Sequence, residues 1–275
     1  MVVQHNMQAM NANRQLGVTT DGQRKVTEKL SSGYKINRAA DDAAGLTISE
    51  KMRSNIRGLT QASSNAQDGV SCVQTAEGAL TEVHAMLQRM NELAVKASNG
   101  TNTTADRVAI QSEISALSSE ITRVAESTQF NTLNLLNGSF SKGKDIQVGA
   151  ANRSEQRITI KIDKMDASTL GVKASKISVA TQSGAQKAIS KITTAIAKVS
   201  KQRSDLGAIQ NRLEHTIQNL DNVVENTTAA ESQIRDTDMA KTMVEYTKNN
   251  ILSQAGTAML AQANQSTQNV LSLLG

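Results

Sequence analysis

Side chains able to do chemistry are few in this sequence and do not gather. The three histidines, His5, His84 and His215, stand far apart, and none falls in an HExxH or Cys/His spacing that would hold zinc. Cys72 is the only cysteine, which rules out an intrachain disulfide or a CxxC metal site. Its neighbours Val70 and Val73 make it a small buried side chain rather than a reactive thiol. No GxSxG, Walker A or GxGxxG run is present, so neither a nucleophile elbow nor a phosphate cradle is written into the chain. Carboxylates such as Glu50, Glu92, Glu113 and Glu120 fall on helical stretches beside basic residues, where solvated ion pairs are the ordinary outcome. The chain therefore reads as a non-enzyme that needs no metal and no cofactor.

Charge and composition exclude further classes. The net charge is +5 and the pI near 9.3, but the basic residues are scattered among 25 acidic ones. Base stacking needs aromatic platforms, and Tyr34, Phe130, Phe140 and Tyr246 do not cluster, so nucleic acid is not an expected partner. No run of about 18 apolar residues occurs, which excludes a membrane-spanning helix. The segment Met1 to Met7 has neither the basic flank nor the apolar stretch of a secretory signal. By that rule the protein stays in the cytosol, unless it leaves by a route that reads no such signal.

What remains is architecture, and its clearest mark is the absence of proline from all 275 residues. A proline inside a helix deletes a donor and clashes with the preceding turn, at about 3 kcal/mol. Its exclusion predicts long unbroken helices. From about Ala43 to Ser98, apolar or small residues recur at steps of mostly three and four, through Leu59, Ala66, Val73, Leu80, Leu87 and Ala94. At 1.5 Å per residue such a helix runs about 84 Å, whereas a compact chain of this length has a radius of gyration near 19 Å. A loop at Asn99 to Asn102 precedes a second stripe from Thr104 to Thr128, and a third runs from Ile189 to about Arg235. Gly58, Gly69, Gly78 and Gly207, inside these helices, predict close helix approach. The period then changes to two: Arg157 to Asp163 alternates as a half-buried strand. Asp145 to Val148 and Ile177 to Val179 read as shorter strands, and Asn137-Gly138 as a hairpin turn.

The fold class expected is mainly α, an elongated rod of long antiparallel coiled-coil-like helices with a small central β-hairpin region. Residues 1–33 and 238–275 form sparse terminal helices, with Asp236 and Asp238 as candidate N-caps. Residues 34–42 and 235–237 connect them to a rod of residues 43–234, whose β region covers about 130–182. The terminal helices carry too few bulky residues to hold each other firmly, so they are expected to order when other copies surround them.

Specific motifs narrow this picture. Leu30-Ser31-Ser32-Gly33-Tyr34-Lys35-Ile36-Asn37, with Ala40-Asp41-Asp42-Ala43-Ala44-Gly45, resembles the N-terminal signature of bacterial flagellins. Thr75 to Leu80 and Thr128 to Asn131 do so too, and Leu206 to Arg212 and Ala261 to Gln265 are similar to the C-terminal signature. The resemblance implies a structural subunit that polymerises with itself into the flagellar filament for motility, secreted through the flagellar export apparatus with an export chaperone. It also implies filament cap and hook-junction proteins as partners. The polymerisation core would then be Met7, Met10, Val26, Leu30, Leu252, Met259, Leu260, Val270, Leu271 and Leu274. An inserted outer domain, present in larger members between positions matching Ser141 and Gly184, is missing, so a thin, smooth filament is expected. The segment Leu87 to Ala94 resembles the one by which flagellins bind the vertebrate Toll-like flagellin receptor. That implies Arg89 as anchor, with Gln88, Met90, Leu93, Glu113, Ile192 and Ile196 around it. A chemoreceptor-like signalling rod is the alternative; it would share the heptads and missing prolines but lack the strand at Ile158 to Ile162.

Overall fold

The computed structural model describes residues 6–274, with side chains described through residue 266. Five long helices dominate it: α1 (Met7–Ser32), α2 (Ala43–Ser98), α3 (Thr104–Ser127), then, after a short β region, α5 (Gln182–Arg235) and α6 (Met239–Leu274). Between α3 and α5 lie strands β1 (Gln129–Phe130), β2 (Leu133–Asn134), β3 (Lys144–Gln147) and β4 (Arg157–Ile160), and a single-turn helix, α4 (Ala167–Leu170).

Helix boundaries follow local chemistry. Asn6 accepts from the Ala9 N–H at 3.0 Å to open α1, which stops at Gly33, whose φ of 75° is a left-handed conformation that glycine adopts without steric cost. Asp42 caps α2 through the Gly45 N–H at 2.9 Å. Thr103 and Asp106 close a reciprocal capping box on α3. Asp238 accepts from Lys241 N–H at 3.1 Å and caps α6. Asp236 is not a cap: its carboxylate takes the Ser232 hydroxyl at 2.7 Å.

The chain divides into two compact units, residues 1–54 with 226–275, and residues 55–225. In the second, α2 presents Val73, Ala76, Leu80, Val83, Leu87, Met90, Ala94 and Ala97, all buried, at alternating steps of three and four. Antiparallel to it, α5 supplies Ile192, Ala195, Val199 and Leu206, and α3 supplies Ile110, Ile114 and Ile121, closing one apolar core. The β region seals an end of this core: β3 and β4 pair antiparallel with Ile146 opposite Ile158, and β4 alternates exposed and buried residues as its sequence predicts.

Several local expectations need correcting. Ile177 to Val179 is not a strand. Both apolar side chains are buried, but the backbone pairs with a side chain: the Gln111 amide donates to Ile177 O at 3.2 Å and accepts from Val179 N–H at 2.8 Å. The two-residue hairpin turn is Asn131-Thr132, with φ of 47° and 65°, joining β1 to β2. Asn137-Gly138 instead makes a local turn in which Asn137 accepts from the Ser139 N–H at 2.9 Å. Of the four helical glycines, Gly69 faces Leu213 of α5, and Gly58 faces Ala150 in a loop rather than a helix. A side chain at Gly78 or Gly207 would meet nothing within 4 Å.

Candidate functional site

The first unit, residues 1–54 with 226–275, is where apolar surface lies open. Helices α1 and α6 run antiparallel, with Asn6 donating to Ala263 O at 2.9 Å and Leu16 packed over Gly256, where an added Cβ would lie 3.2 Å from Leu16 Cδ1. Small residues let the backbones approach, but they fill little space. A groove of about 660 Å³ remains between the helices, floored by Leu16, Leu252 and Met259. Val26 is buried and Leu30 and Leu260 are half-buried, whereas Met7 is 69% exposed, Met259 63% and Met10 62%. The side chains of Val270, Leu271 and Leu274 lie outside the described residues. Val18, Val244 and Ile251, which the sparse stripe gave no reason to single out, are also exposed.

The crossing from α1 to α2 and from α5 to α6 is tied in one place. Lys35 N–H donates to Arg235 O at 2.7 Å and Thr237 N–H to Gly33 O at 3.0 Å. The Arg235 guanidinium lies 4.7 Å from the centre of the Tyr34 ring and bonds Glu50 at 2.8 Å. That contact, first among the causes, holds the Glu50 carboxyl below its usual range. Asp41 is lowered too, by the backbone N–H groups of Arg38 and Asn37.

On the second unit, residues 55–225, Arg89 bridges two helices. Its Nε and Nη2 bond the Glu113 carboxylate at 3.0 and 2.9 Å, and Nη1 reaches Glu92 at 3.2 Å. Gln88 is exposed beside it and its amide nitrogen donates to the His84 ring nitrogen Nε2 at 3.1 Å. Met90, Leu93 and Ile192 are buried and Ile196 half-buried, so four of the seven residues grouped around this surface belong to the helix-packing side rather than to the open face. Only Arg89, Gln88 and Glu113 are presented to solvent.

Among the described residues no group of His, Cys, Asp or Glu could hold a metal ion, and no helix is long and apolar enough to cross a membrane. Burial pushes the Cys72 thiol up, away from a reactive thiolate. Two polar residues that the sequence reading passed over prove structural. Gln111 holds the 177–179 segment, and the buried Gln202 donates to Lys161 O at 3.1 Å and accepts from Asp163 N–H at 3.2 Å. The signal for Gln202 was a polar residue at a core position, between Val199 and Leu206.

Comparison with known sequences decides what this arrangement is. Residues 3–141 match the family described as the bacterial flagellin N-terminal helical region, and residues 189–274 the C-terminal helical region. The chain belongs to the flagellin family. A flagellin of Halalkalibacterium halodurans is 54% identical over 274 residues, covering 100% of both chains. One from Bacillus subtilis is 50% identical, again over 100% of both. A solved hook-associated protein of Vibrio parahaemolyticus has a TM-score of 0.58 at 14% identity, covering 71% of this chain and all of that one, and so supports the fold alone. As flagellins are, this is a non-enzymatic structural subunit, exported to the extracellular flagellar filament. It is a short member without an outer variable domain. The signalling-rod alternative falls with this match, as does retention in the cytosol.

Proposed function

We propose that copies of this flagellin assemble through the exposed apolar faces of α1 and α6, with residues 1–33 and 238–275 as the polymerising pair and residues 55–225 as the stable body. The observation that carries this is the open groove floored by Leu16, Leu252 and Met259 between two helices too small-chained to cover it. Patches of this kind mark interaction sites. The test is electron microscopy of the full chain against a chain lacking residues 1–33 and 238–275: the truncated chain is expected to stay helical and form no filaments. Filaments built by the truncated chain would overturn the assignment. Filaments of the full chain are expected to be thin and smooth, joined at their ends by cap and hook-junction proteins and supplied by the export apparatus and its chaperone.

A second reading concerns Arg89. Its exposed guanidinium, aimed by Glu113 and Glu92, supports recognition by the vertebrate Toll-like flagellin receptor, since an arginine held in place is a common interface anchor. Binding of the monomer to the receptor ectodomain is expected to weaken at least tenfold in Arg89→Ala. Equal affinities would remove the claim. Because Met90, Leu93 and Ile192 are buried, their substitution is expected to act through folding instead.

A further inference from the structure

Positive charge is concentrated in one stretch of this chain. Residues 142–201 hold 12 of the 30 lysines and arginines but only 4 of the 25 acidic residues, leaving the remainder of the chain net negative. On α5, Lys187, Lys191, Lys198 and Lys201 fall at steps of four, seven and three, which places them on one helix face over about 21 Å. The segment following β4 forms the opposite wall of two adjoining cavities that share Leu170 and Lys198, the larger about 730 Å³, and Lys161, Lys164 and Lys176 contribute to this groove.

Two of these ammonium groups are held by the opposite wall. Lys191 Nζ donates to Lys176 O at 2.6 Å, and Lys198 Nζ to Thr169 O at 3.4 Å. Neutral carbonyls position these charges without cancelling them. Lys161 and Lys164 have carboxylate partners, Asp163 at 3.8 Å and Asp166 at 3.0 Å, and Asp205 lines one end of the groove. Among the described residues no carboxylate is in ion-pair contact with Lys187, Lys191, Lys198 or Lys201.

We propose that this groove binds a linear acidic polysaccharide. A row of lysine point charges suits a chain carrying regularly spaced carboxylate or sulfate groups, because it asks for no fixed bidentate geometry of the kind arginine provides. No aromatic side chain lines the groove, so bases have nothing to stack on and nucleic acid is disfavoured. The choice of polysaccharide also rests on the extracellular location of flagellins.

The test measures binding of the full-length chain to heparin and to polygalacturonate, with neutral dextran and charge-matched duplex DNA alongside. Lys191→Gln, Lys198→Gln and Lys201→Gln are combined in one variant. A control variant carries Lys25→Gln, Lys51→Gln and Lys248→Gln, removing the same charge from the other unit. The groove variant is expected to lose affinity about tenfold or more and to flatten the log–log salt slope by about 2, while the control keeps both. Arginine at the three groove positions is expected to restore binding, which separates loss of charge from loss of fold. Heparin binding alone would assign sulfated chains, and binding of both would assign acidic chains generally. Absence of binding to either, equal loss in the control, or DNA bound as tightly as polysaccharide would overturn the proposal.

Discussion

Four glycines inside the long helices give the same chemical change, Gly→Ala, four different neighbourhoods. Alanine is favoured over glycine in a helix interior by about 1 kcal/mol, chiefly because the unfolded chain loses freedom. At Gly78 and Gly207 the added carbon meets nothing within 4 Å. Each substitution is therefore expected to stabilise the 55–225 unit by about 1 kcal/mol. For a unit of that size this is about 2–4 °C in melting temperature, and with no shared partner the two gains should add. At Gly69 the new carbon lies 3.3 Å from Leu213 Cδ1, the end of a flexible side chain, and the helical gain is about cancelled. At Gly58 it lies 2.8 Å from Ala150 Cβ and 3.3 Å from its Cα, so backbone must move. Overpacking of that kind costs about 1–3 kcal/mol, and the net expectation is a loss of about 1 kcal/mol. The assay is chemical denaturation of the full-length, unassembled chain followed by circular dichroism, reading the midpoint at constant slope. A lowered midpoint in Gly78→Ala or Gly207→Ala, or a raised one in Gly58→Ala, would refute the reasoning from neighbour distances.

Other perturbations test other links. Gln111→Leu removes both partners of the 177–179 backbone and is expected to cost about 1–3 kcal/mol by the same assay; an unchanged midpoint would mean that solvent replaces the amide. Leu87→Ala, at a fully buried position, is expected to cost about 3–5 kcal/mol, and a loss below 1 kcal/mol would place Leu87 outside the tightly packed core. Asp106 is held below its ordinary 3.8, first by the Thr103 hydroxyl and then by its N–H. A depressed carboxylate adds stability that is present above the unfolded value and disappears as pH falls through the lower folded one. Asp106→Asn is therefore expected to lose stability at pH 6 and to show a shallower loss below about pH 4; a profile as steep as wild type would exclude this contribution. In sedimentation, the full chain is expected to pass from monomer to polymer, and a stable dimer accumulating between them would argue against the multi-neighbour packing developed below.

The long helices were legible because their signal is periodic and local. The stripe from Leu59 to Ala94 needs only the chain itself to be read, and α2 begins and ends where the sequence placed it. The alternation from Arg157 to Asp163 was legible for the same reason, although strand pairing ends at Ile160. The failures share another cause: each depends on a partner distant in sequence. Ile177 to Val179 has the composition of a strand, but the neighbour that met its backbone was Gln111, a side chain 66 and 68 residues away. Whether a glycine is a close-approach residue depends on what stands opposite, which periodicity does not report. The surface around Arg89 was half legible. The polar trio Gln88, Arg89 and Glu113 could be placed on an exposed face, but Met90 and Leu93 lie on the buried stripe of α2, and their place in the 3-4 rhythm with Leu87 and Ala94 already said so.

The proposed division between a stable body and an assembling pair rests on where apolar surface lies open. Of the large aliphatic and methionine side chains that are exposed, Met7, Met10, Val18, Ile48, Met239, Met243, Val244, Ile251, Leu252 and Met259 belong to the unit of residues 1–54 and 226–275, whereas Val95, Val108, Leu133 and Val223 belong to the larger one. Burying such a side chain yields about 1.5–3 kcal/mol. If one neighbouring copy covered half of the ten, the gain would be about 8–15 kcal/mol, comparable with the 4–15 kcal/mol lost in freedom on association. A single contact therefore leaves the subunit near balance, and further neighbours add burial to a subunit already immobilised. Helices with small residues and no proline suit this arrangement, since each can pack against several others along its whole length, while the core of residues 55–225 is already buried within a single subunit.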